Sequence, residues 1–510
     1  MRQFIDVHAN AAPDRPAVII AETGETLSYG ALNRRSNQIA HVLRRRGLRR
    51  GDHVALLIGN STAFFEVVWA CQRAGLYYTP INTRLTAGEA DYIVRDCGAH
   101  ALIASSRFNE TAGALAIDGA LRLRASVHGA IPGFDPLDGL AESEPALPLA
   151  DESEGASMIY SSGTTGKPKG VKRALPERAL GDPDVFSAML AKVYGWDARS
   201  IYLCPAPTYH GAGLWYSTAM HRIGATCVVM EKFTPEGFLD AVERYRVTHT
   251  QVVPTMMARL VKLPAVERTR RDLSSLKVLI HAAAPCPIPI KERMIDWMGP
   301  IVYEYFAATE GNGYTFIDAR EWLKHKGSVG KPIIGELHIV SEDGRECAAG
   351  ESGLVYFGGV TPFSYHNDPS KTDESRHPQG WTTTGDIGRL DKDGYLYLTD
   401  RKAFTIISGG VNIYPQEIEN ALLEHADVAD AAVFGVPDDD FGEQVKAVVE
   451  LSSSAHASDA LAQELISHCR ARLAAYKCPK SLDFVATLPR GENGKLYKKA
   501  LRDSYWPKSA

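Results

Sequence analysis

The residues with the densest chemistry are SSGTTGKPKG, Ser161 to Gly170, which place four hydroxyls, three glycines and two lysines directly behind the short apolar run MIY. Glycines let successive backbone N–H groups turn toward an anion, and the Ser and Thr hydroxyls add donors. Lys167 and Lys169 offset the charge of a polyphosphate. The chemistry is that of a phosphate cradle. It is not a Walker loop, because only two residues separate Gly163 from Gly166 and Lys167 is followed by Pro168, which has no hydroxyl for magnesium. No G-x-G-x-x-G and no H-E-x-x-H occurs, so dinucleotide oxidoreductase and zinc protease readings have nothing to rest on.

The elements that must hold such a loop are legible around it. VALLIG from Val54, the polar break Asn60 to Thr62 and the helical spacing of Phe64, Val67, Val68 and Cys71 up to Gly75 read as strand, cap and helix. The next unit repeats this, with LYYTPI as a strand, Thr86 and Glu89 spaced as a capping box, and ALIA as another strand. Alternation of this kind implies parallel sheets. The acidic AESEPALPLADESEG, Ala141 to Gly155, reads as an exposed connection into the loop. From about Gly327 to Thr399 short alternating runs with frequent turn signals predict a small antiparallel β unit. Beyond Arg401 the chain predicts a separate small α/β domain, with a helix behind Pro415, the strands DAAVFGV and QVKAVVEL, and a helix over roughly Ala457 to Tyr476. The cluster Arg44, Arg45, Arg46, Arg49 and Arg50 reads as the solvated end of an early helix.

Composition sets the outer bounds. At 510 residues the chain corresponds to roughly three domain units. With 45% apolar and 23% charged residues and a formal charge of −5, bulk disorder and a polycationic nucleic-acid binder are excluded. The eight cysteines form no C-x-x-C pair, which argues against a zinc framework or a dense disulfide framework and fits a reducing compartment. There is no apolar stretch of about 18 residues, so no transmembrane segment, and no signal-peptide core follows Met1. A cytoplasmic protein is expected, and a homo-oligomer is compatible with all of this.

Five segments in order, SSGTTGKPKG, HAAAPCP, YEYFAATEG, GWTTTGDIG with DGYLYLTDRK and IISGGVNIYPQEIE, and PRGENGKLYKKAL, make the whole chain resemble the adenylate-forming superfamily of acyl-CoA synthetases, aryl-CoA ligases, peptide-synthetase adenylation domains and beetle luciferases. The resemblance implies an α/β fold. Its large N-terminal domain, 1–400, would contain α/β-layered sheets and a small β-barrel-like unit. A small mobile α+β C-terminal domain, 401–510, would follow a hinge near 400–403. It further implies that Ser161, Ser162, Gly163, Thr164, Thr165, Gly166 and Lys169 hold the β- and γ-phosphates of ATP. Thr309 would bond the α-phosphate, and Glu310 and Thr165 would ligate Mg²⁺, a hard cation that takes oxygen donors. Phe306 would stack on one face of adenine with the Ala282, Ala283, Ala284 and Pro285 loop on the other. Phenylalanine replaces the commoner tyrosine there, which keeps stacking area and loses a hydroxyl. Asp386 and Arg401 would hold the ribose hydroxyls. Lys495 would meet the substrate carboxylate and α-phosphate when the small domain closes, where a fixed ammonium stabilises developing charge. Gly409 and Gly410 would line a channel for the pantetheine arm of coenzyme A. At the hinge this chain has Ala403 where the family often has Asp or Lys, which changes the polar contacts that favour each pose.

Among the superfamily's activities, PAPTYHGAGLWYSTAM favours an amine-free acid, because no Asp or Glu occurs between Pro205 and Met220 to pair a substrate ammonium. His210 matches the position that borders the acyl pocket in acyl- and aryl-CoA ligases. Gly211, Gly213, Trp215 and Tyr216 would suit a hydrophobic chain or ring. With no carrier-protein segment and no SKL ending, a free-standing acid–thiol ligase is expected. It would form acyl-AMP and pyrophosphate from a carboxylic acid and MgATP, then transfer the acyl group to CoA. The alternative is a stand-alone adenylating enzyme that loads a carrier protein.

Overall fold

The structure, a computed structural model, describes residues 2–115, 121–161, 168–401, 404–408, 411–438, 441–452, 455–491 and 496–506, without the side chains of Arg401 and Asn412. The chain divides into two units, one of Met1–Val252, Lys262–Ile280 and Phe363–Thr372, the other of Val253–Val261, His281–Pro362 and Asp373–Ala510.

The first unit is built from parallel sheets, as strand–helix alternation requires. One sheet runs Asp135–Pro136, Leu123–Val127, Ala99–Ser105, His53–Leu57, Tyr77–Pro80, Ala156–Ser157, with every pair parallel. His53–Leu57 is buried along its length, as a strand covered on both faces must be. Ser61 caps the helix Thr62–Arg73 by accepting from Phe64 N, and Thr86 with Glu89 forms the expected capping box of Ala87–Asp96. A second sheet orders His249–Val252, Ile201–Cys204, Thr226–Val229, Pro16–Ile20 and Thr26–Ser28, antiparallel only at the last pair. Ile159–Ser161 and Lys169–Lys172 then pair antiparallel on either side of the phosphate-loop sequence, with Ser364–Tyr365 beside Lys169–Lys172.

The arginine cluster does more than decorate a helix end. Arg44 pairs with Asp151, Arg45 with Glu144 and Arg46 with Asp135, while Arg50 donates to the Glu154 carbonyl. The acidic connection is thereby clamped along the helix Tyr29–Arg45. At its end Glu154, 2% exposed, accepts from Arg222 and from Arg178.

In the second unit Glu336–Val340, Gly353–Gly358, Thr382–Leu390 and Leu396–Arg401 form a four-stranded antiparallel sheet in that order. Farther along the chain, Val428–Asp438 and Gly442–Leu451 form a long hairpin flanked by Ile406–Ser408 and, in parallel, Ser481–Val485. Helices Pro415–Leu423 and Asp459–Arg470 pack on this sheet around Ile418, Leu422, Leu465 and Cys469. The second helix is shorter than the periodicity predicts. It opens at Ser458, whose side chain accepts from Leu461 N, and turns at Ala471, which carries Leu473 onto the core. All eight cysteines are free thiols, and among the described residues no helix is long and apolar enough to cross a membrane.

Three buried imidazoles make the first unit sensitive to acid. Burial holds His53 down to about 3 and His221 and His249 down to about 4. His221 accepts from Trp69 Nε1 at 3.1 Å through one nitrogen, which leaves the other to donate to the Ala17 carbonyl at 3.1 Å, a neutral tautomer with both valences satisfied. In the unfolded chain these groups protonate near 6.5. The unfolded state therefore binds more protons below that pH, and stability present above pH 6.5 is lost as the pH falls through 4 toward 3. Urea unfolding midpoints at pH 7.5, 5.5 and 4.5 should fall in that order; a constant midpoint would show that the imidazoles protonate in place.

Candidate active site

The second unit gathers three of the motif segments. The strand Val278–His281 ends in the Ala282 to Pro285 loop, and Tyr305 N donates to the His281 carbonyl at 3.3 Å, which joins YEYF to that loop. Thr309, Glu310 and Gly311 form a turn closed by Gly311 N donating to Ala308 O at 2.9 Å. Gly311 adopts φ +60° there, a conformation glycine takes without strain. Asn312 then donates to the Thr382 carbonyl, fastening the turn to the strand that carries Asp386. Glu310 is nearly buried, and its carboxylate is the hard oxygen donor a magnesium ion takes.

Asp386 stands directly opposite Arg401 in the antiparallel register, so the two residues expected at a ribose are neighbours across one ladder. Asp386 is buried and accepts from Thr384 Oγ1 at 2.6 Å. Ahead of this strand, the imidazoles of His338 and His377 both lie parallel to the Trp381 indole, 3.6 Å and 4.7 Å away between ring centroids. Phe306 is half-buried and packs toward Phe357 and the cluster of Ile339, Val355 and Leu396. Ala283 is exposed with φ +76°, a left-handed conformation that costs a residue with a Cβ about 1–2 kcal/mol.

Beneath these loops lies a group that motif reading missed. Lys291, wholly buried on the helix Ile288–Met298, donates to Glu304 Oε2 at 2.5 Å, with its ammonium 4.6 Å from the Trp322 ring centre. His281 is also wholly buried, 3.5 Å from the same carboxylate, with neither ring nitrogen hydrogen-bonded. Burial pushes the Glu304 carboxyl up and Lys291 pulls it back, while burial and then the Lys291 charge push His281 well down. An ion pair and a neutral imidazole thus underlie both the Ala282 to Pro285 loop and the YEYF segment. The sequence held one signal: Lys291 precedes the buried Met294 and Ile295 by three and four residues, on the inward stripe of its helix.

In the first unit Ser161 and Lys169 face each other across the pairing of their strands, and Lys169 Nζ lies 3.5 Å from Asp368. His210 caps the helix Gly211–Ile223 and packs edge-on against Tyr209. A Cβ on Gly213 would stand 2.6 Å from the Pro207 carbonyl, and one on Gly211 3.0 Å from the Trp215 ring, so both glycines answer to packing. Trp215 is half-buried and donates to Ser157 Oγ at 2.9 Å. Tyr216, expected from sequence to suit an acyl group, is buried among Trp196, Tyr202 and Phe186 and belongs to the core. Ser162, Gly163, Thr164, Thr165, Gly166, Lys167, Lys402, Ala403, Gly409, Gly410 and Lys495 lie outside the described residues.

Residues 5–364 match the family model described as AMP-binding enzyme, and residues 417–495 match AMP-binding enzyme C-terminal domain. The chain belongs to the AMP-binding enzyme family, the adenylate-forming class. It is 34% identical to a feruloyl-CoA synthase of an Amycolatopsis species over 95% of each chain. It is 31% identical to the fatty acid–[acyl-carrier-protein] ligase ScoC of Streptomyces coeruleorubidus, over 100% of this chain and 97% of that one. Among solved structures, the o-succinylbenzoate CoA synthetase MenE of Bacillus subtilis, in complex with the acyl-adenylate intermediate OSB-AMP, superposes with a TM-score of 0.83 at 28% identity, covering 99% of this chain and 98% of that one.

Three variants check this geometry. Ala283→Gly should stabilise the protein by about 1 kcal/mol by relieving the left-handed alanine, read as a higher guanidinium midpoint; a lower midpoint would show that the turn carries no strain. Lys291→Met leaves the Glu304 charge buried and alone, and should cost about 3–5 kcal/mol by the same measurement. Lys291→Met with Glu304→Leu should recover most of that loss.

Proposed function

We propose that the protein is an AMP-forming acid–thiol ligase for an amine-free, hydrophobic carboxylic acid. The carboxylate attacks the α-phosphorus of ATP, pyrophosphate leaves to give acyl-AMP, and the CoA thiol then displaces AMP to give acyl-CoA. The observation that carries this reading is the ladder that opposes Asp386 to Arg401 and is tied through Asn312 to the Thr309–Gly311 turn. The activities named for the relatives support it.

In this reading Asp386 and Arg401 hold the ribose, Thr309 donates to the α-phosphate, and Phe306 faces adenine against Ala283, Ala284 and Pro285. Ser161 through Gly166, with Lys169, cradle the outer phosphates. Mg²⁺, held by Glu310 and Thr165, neutralises phosphate charge when bound. His210 borders the acid. Lys495 stabilises the charge that grows as two anions meet. The domain boundary falls at 400–403, and rotation of residues 401–510 brings Gly409 and Gly410 to the pantetheine arm. The reading places the enzyme in the cytoplasm, where ATP and CoA are at hand. A carrier-protein acceptor is the second reading, favoured by the likeness to ScoC.

Mass spectrometry of the protein incubated with MgATP, CoA and dodecanoic, ferulic and 2-succinylbenzoic acids reads both steps. Acyl-CoA is the expected product. Acyl-AMP without thioester would shift the acceptor to a carrier protein, and neither product from any of the acids would overturn the reading. Lys495→Ala should lower acyl-AMP formation by about 10²-fold or more and spare the use of preformed acyl-AMP with CoA; equal loss of both half-reactions would remove the role given to Lys495.

A further inference from the structure

Three consecutive residues, Glu304, Tyr305 and Phe306, tie together the two segments assigned to adenine. Phe306 itself is one side. The other side is the chain from Ala282 to Pro287, and both of its ends are fastened to the two residues that precede Phe306. At its start Tyr305 N donates to the His281 carbonyl at 3.3 Å. At its end the chain enters the helix Ile288–Met298, whose Lys291 donates through Nζ to Glu304 Oε2 at 2.5 Å.

The Phe306 side is fixed through its backbone. Glu304 and Ile317 exchange N–H···O bonds, both at 3.0 Å. Phe306 N donates to Thr315 Oγ1 at 3.2 Å, and Thr315 N returns a bond to the Phe306 carbonyl at 2.9 Å. Thr315 Oγ1 is held in turn, donating to Val329 O at 2.5 Å. The loop side has fewer backbone donors to use, because Pro285 and Pro287 carry no N–H. Its far end is set by a side chain instead. Lys291 and Glu304 are both buried, and the Trp322 ring lies 4.6 Å from the ammonium, so the tie is shielded from the water and salt that weaken an exposed pair.

A buried Lys–Glu pair adds little stability over well-packed apolar residues of similar volume, so what it supplies beyond them is a link of fixed length and direction. We propose that Lys291 and Glu304 are positioning residues for the nucleotide, holding the Ala282 to Pro285 loop at the separation from Phe306 that admits one adenine ring. This rests on the reading above in which those two segments face adenine. The pair touches no reactant; it acts on the base through the loop and Phe306. Its loss therefore falls on nucleotide binding, alike in the ground state and the transition state, and spares the chemical step.

The test measures nucleotide affinity apart from stability in the full-length protein. Lys291→Met/Glu304→Leu fills the same space with apolar groups and should melt near the wild-type temperature. It should nevertheless bind AMP about tenfold more weakly by titration calorimetry and raise the KM for ATP in pyrophosphate release by about the same factor, the size of a base-stacking contribution. Its kcat at saturating ATP should stay within about threefold of wild type. Glu304→Asp keeps both charges and shortens the tie by one methylene, so it should weaken AMP binding by about threefold or more. Wild-type AMP affinity in either variant would overturn the proposal, and so would a fall in kcat with the KM for ATP unchanged. Phe306→Ala separates the proposal from the reading beneath it. If Phe306→Ala binds AMP as tightly as wild type, Phe306 does not face adenine and the positioning role fails with that assignment; if Phe306→Ala is weak and Lys291→Met/Glu304→Leu is not, the positioning role alone fails.

Discussion

Antiparallel pairing fixes which residues stand opposite one another, and in the ladder of Thr382–Leu390 with Leu396–Arg401 it fixes Asp386 against Arg401. A slip of one residue would turn every side chain of one strand to the other face and part this pair. The register is held from several directions. Thr383 Oγ1 donates to Val355 O on the neighbouring strand, and Asn312 reaches Thr382 O from the Glu310 turn. Asp400, one residue before Arg401, meets the first turn of the Pro415–Leu423 helix. The candidate metal ligand, the candidate ribose pair and the start of the C-terminal segment are thus referred to one piece of sheet.

The charged groups around this frame divide by burial. Surface pairs such as Arg44–Asp151 and Arg45–Glu144 are individually worth little in water, and their use is to lay an acidic connection along a helix. Lys291–Glu304 and Lys498–Glu419 are of a different kind. Each is desolvated, and removing one partner of such a pair strands a charge.

What the amino-acid order reveals follows from the range of the forces involved. Capping at Thr86 and Ser61 and the alternation of strands and helices are local, so a short window of residues is enough to show them. The motif residues Asp386, Glu310 and Thr309 are legible as types and spacings, but their assembly depends on the Asn312–Thr382 contact 70 residues apart, which no local pattern encodes. Lys291 and Glu304 escape such a reading because charged residues are ordinarily solvated, and only the buried stripe of the helix marks Lys291. Gly211 and Gly213 have close neighbours that the sequence does not show. A Cβ on Gly213 would meet the Pro207 carbonyl and one on Gly211 would stand close to the Trp215 ring. Tyr216, their neighbour in the sequence, faces inward, since the period of the helix buries it among aromatic rings.

The stack of His338, Trp381 and His377 has an optical consequence. An indole held parallel to two imidazoles emits according to its contact with those rings. Trp381 immediately precedes the strand that carries Asp386, so its emission is an intrinsic gauge of order in that strand. The molecule therefore carries a native fluorophore immediately ahead of the strand of Asp386, and a loss of the stack would be read in its emission.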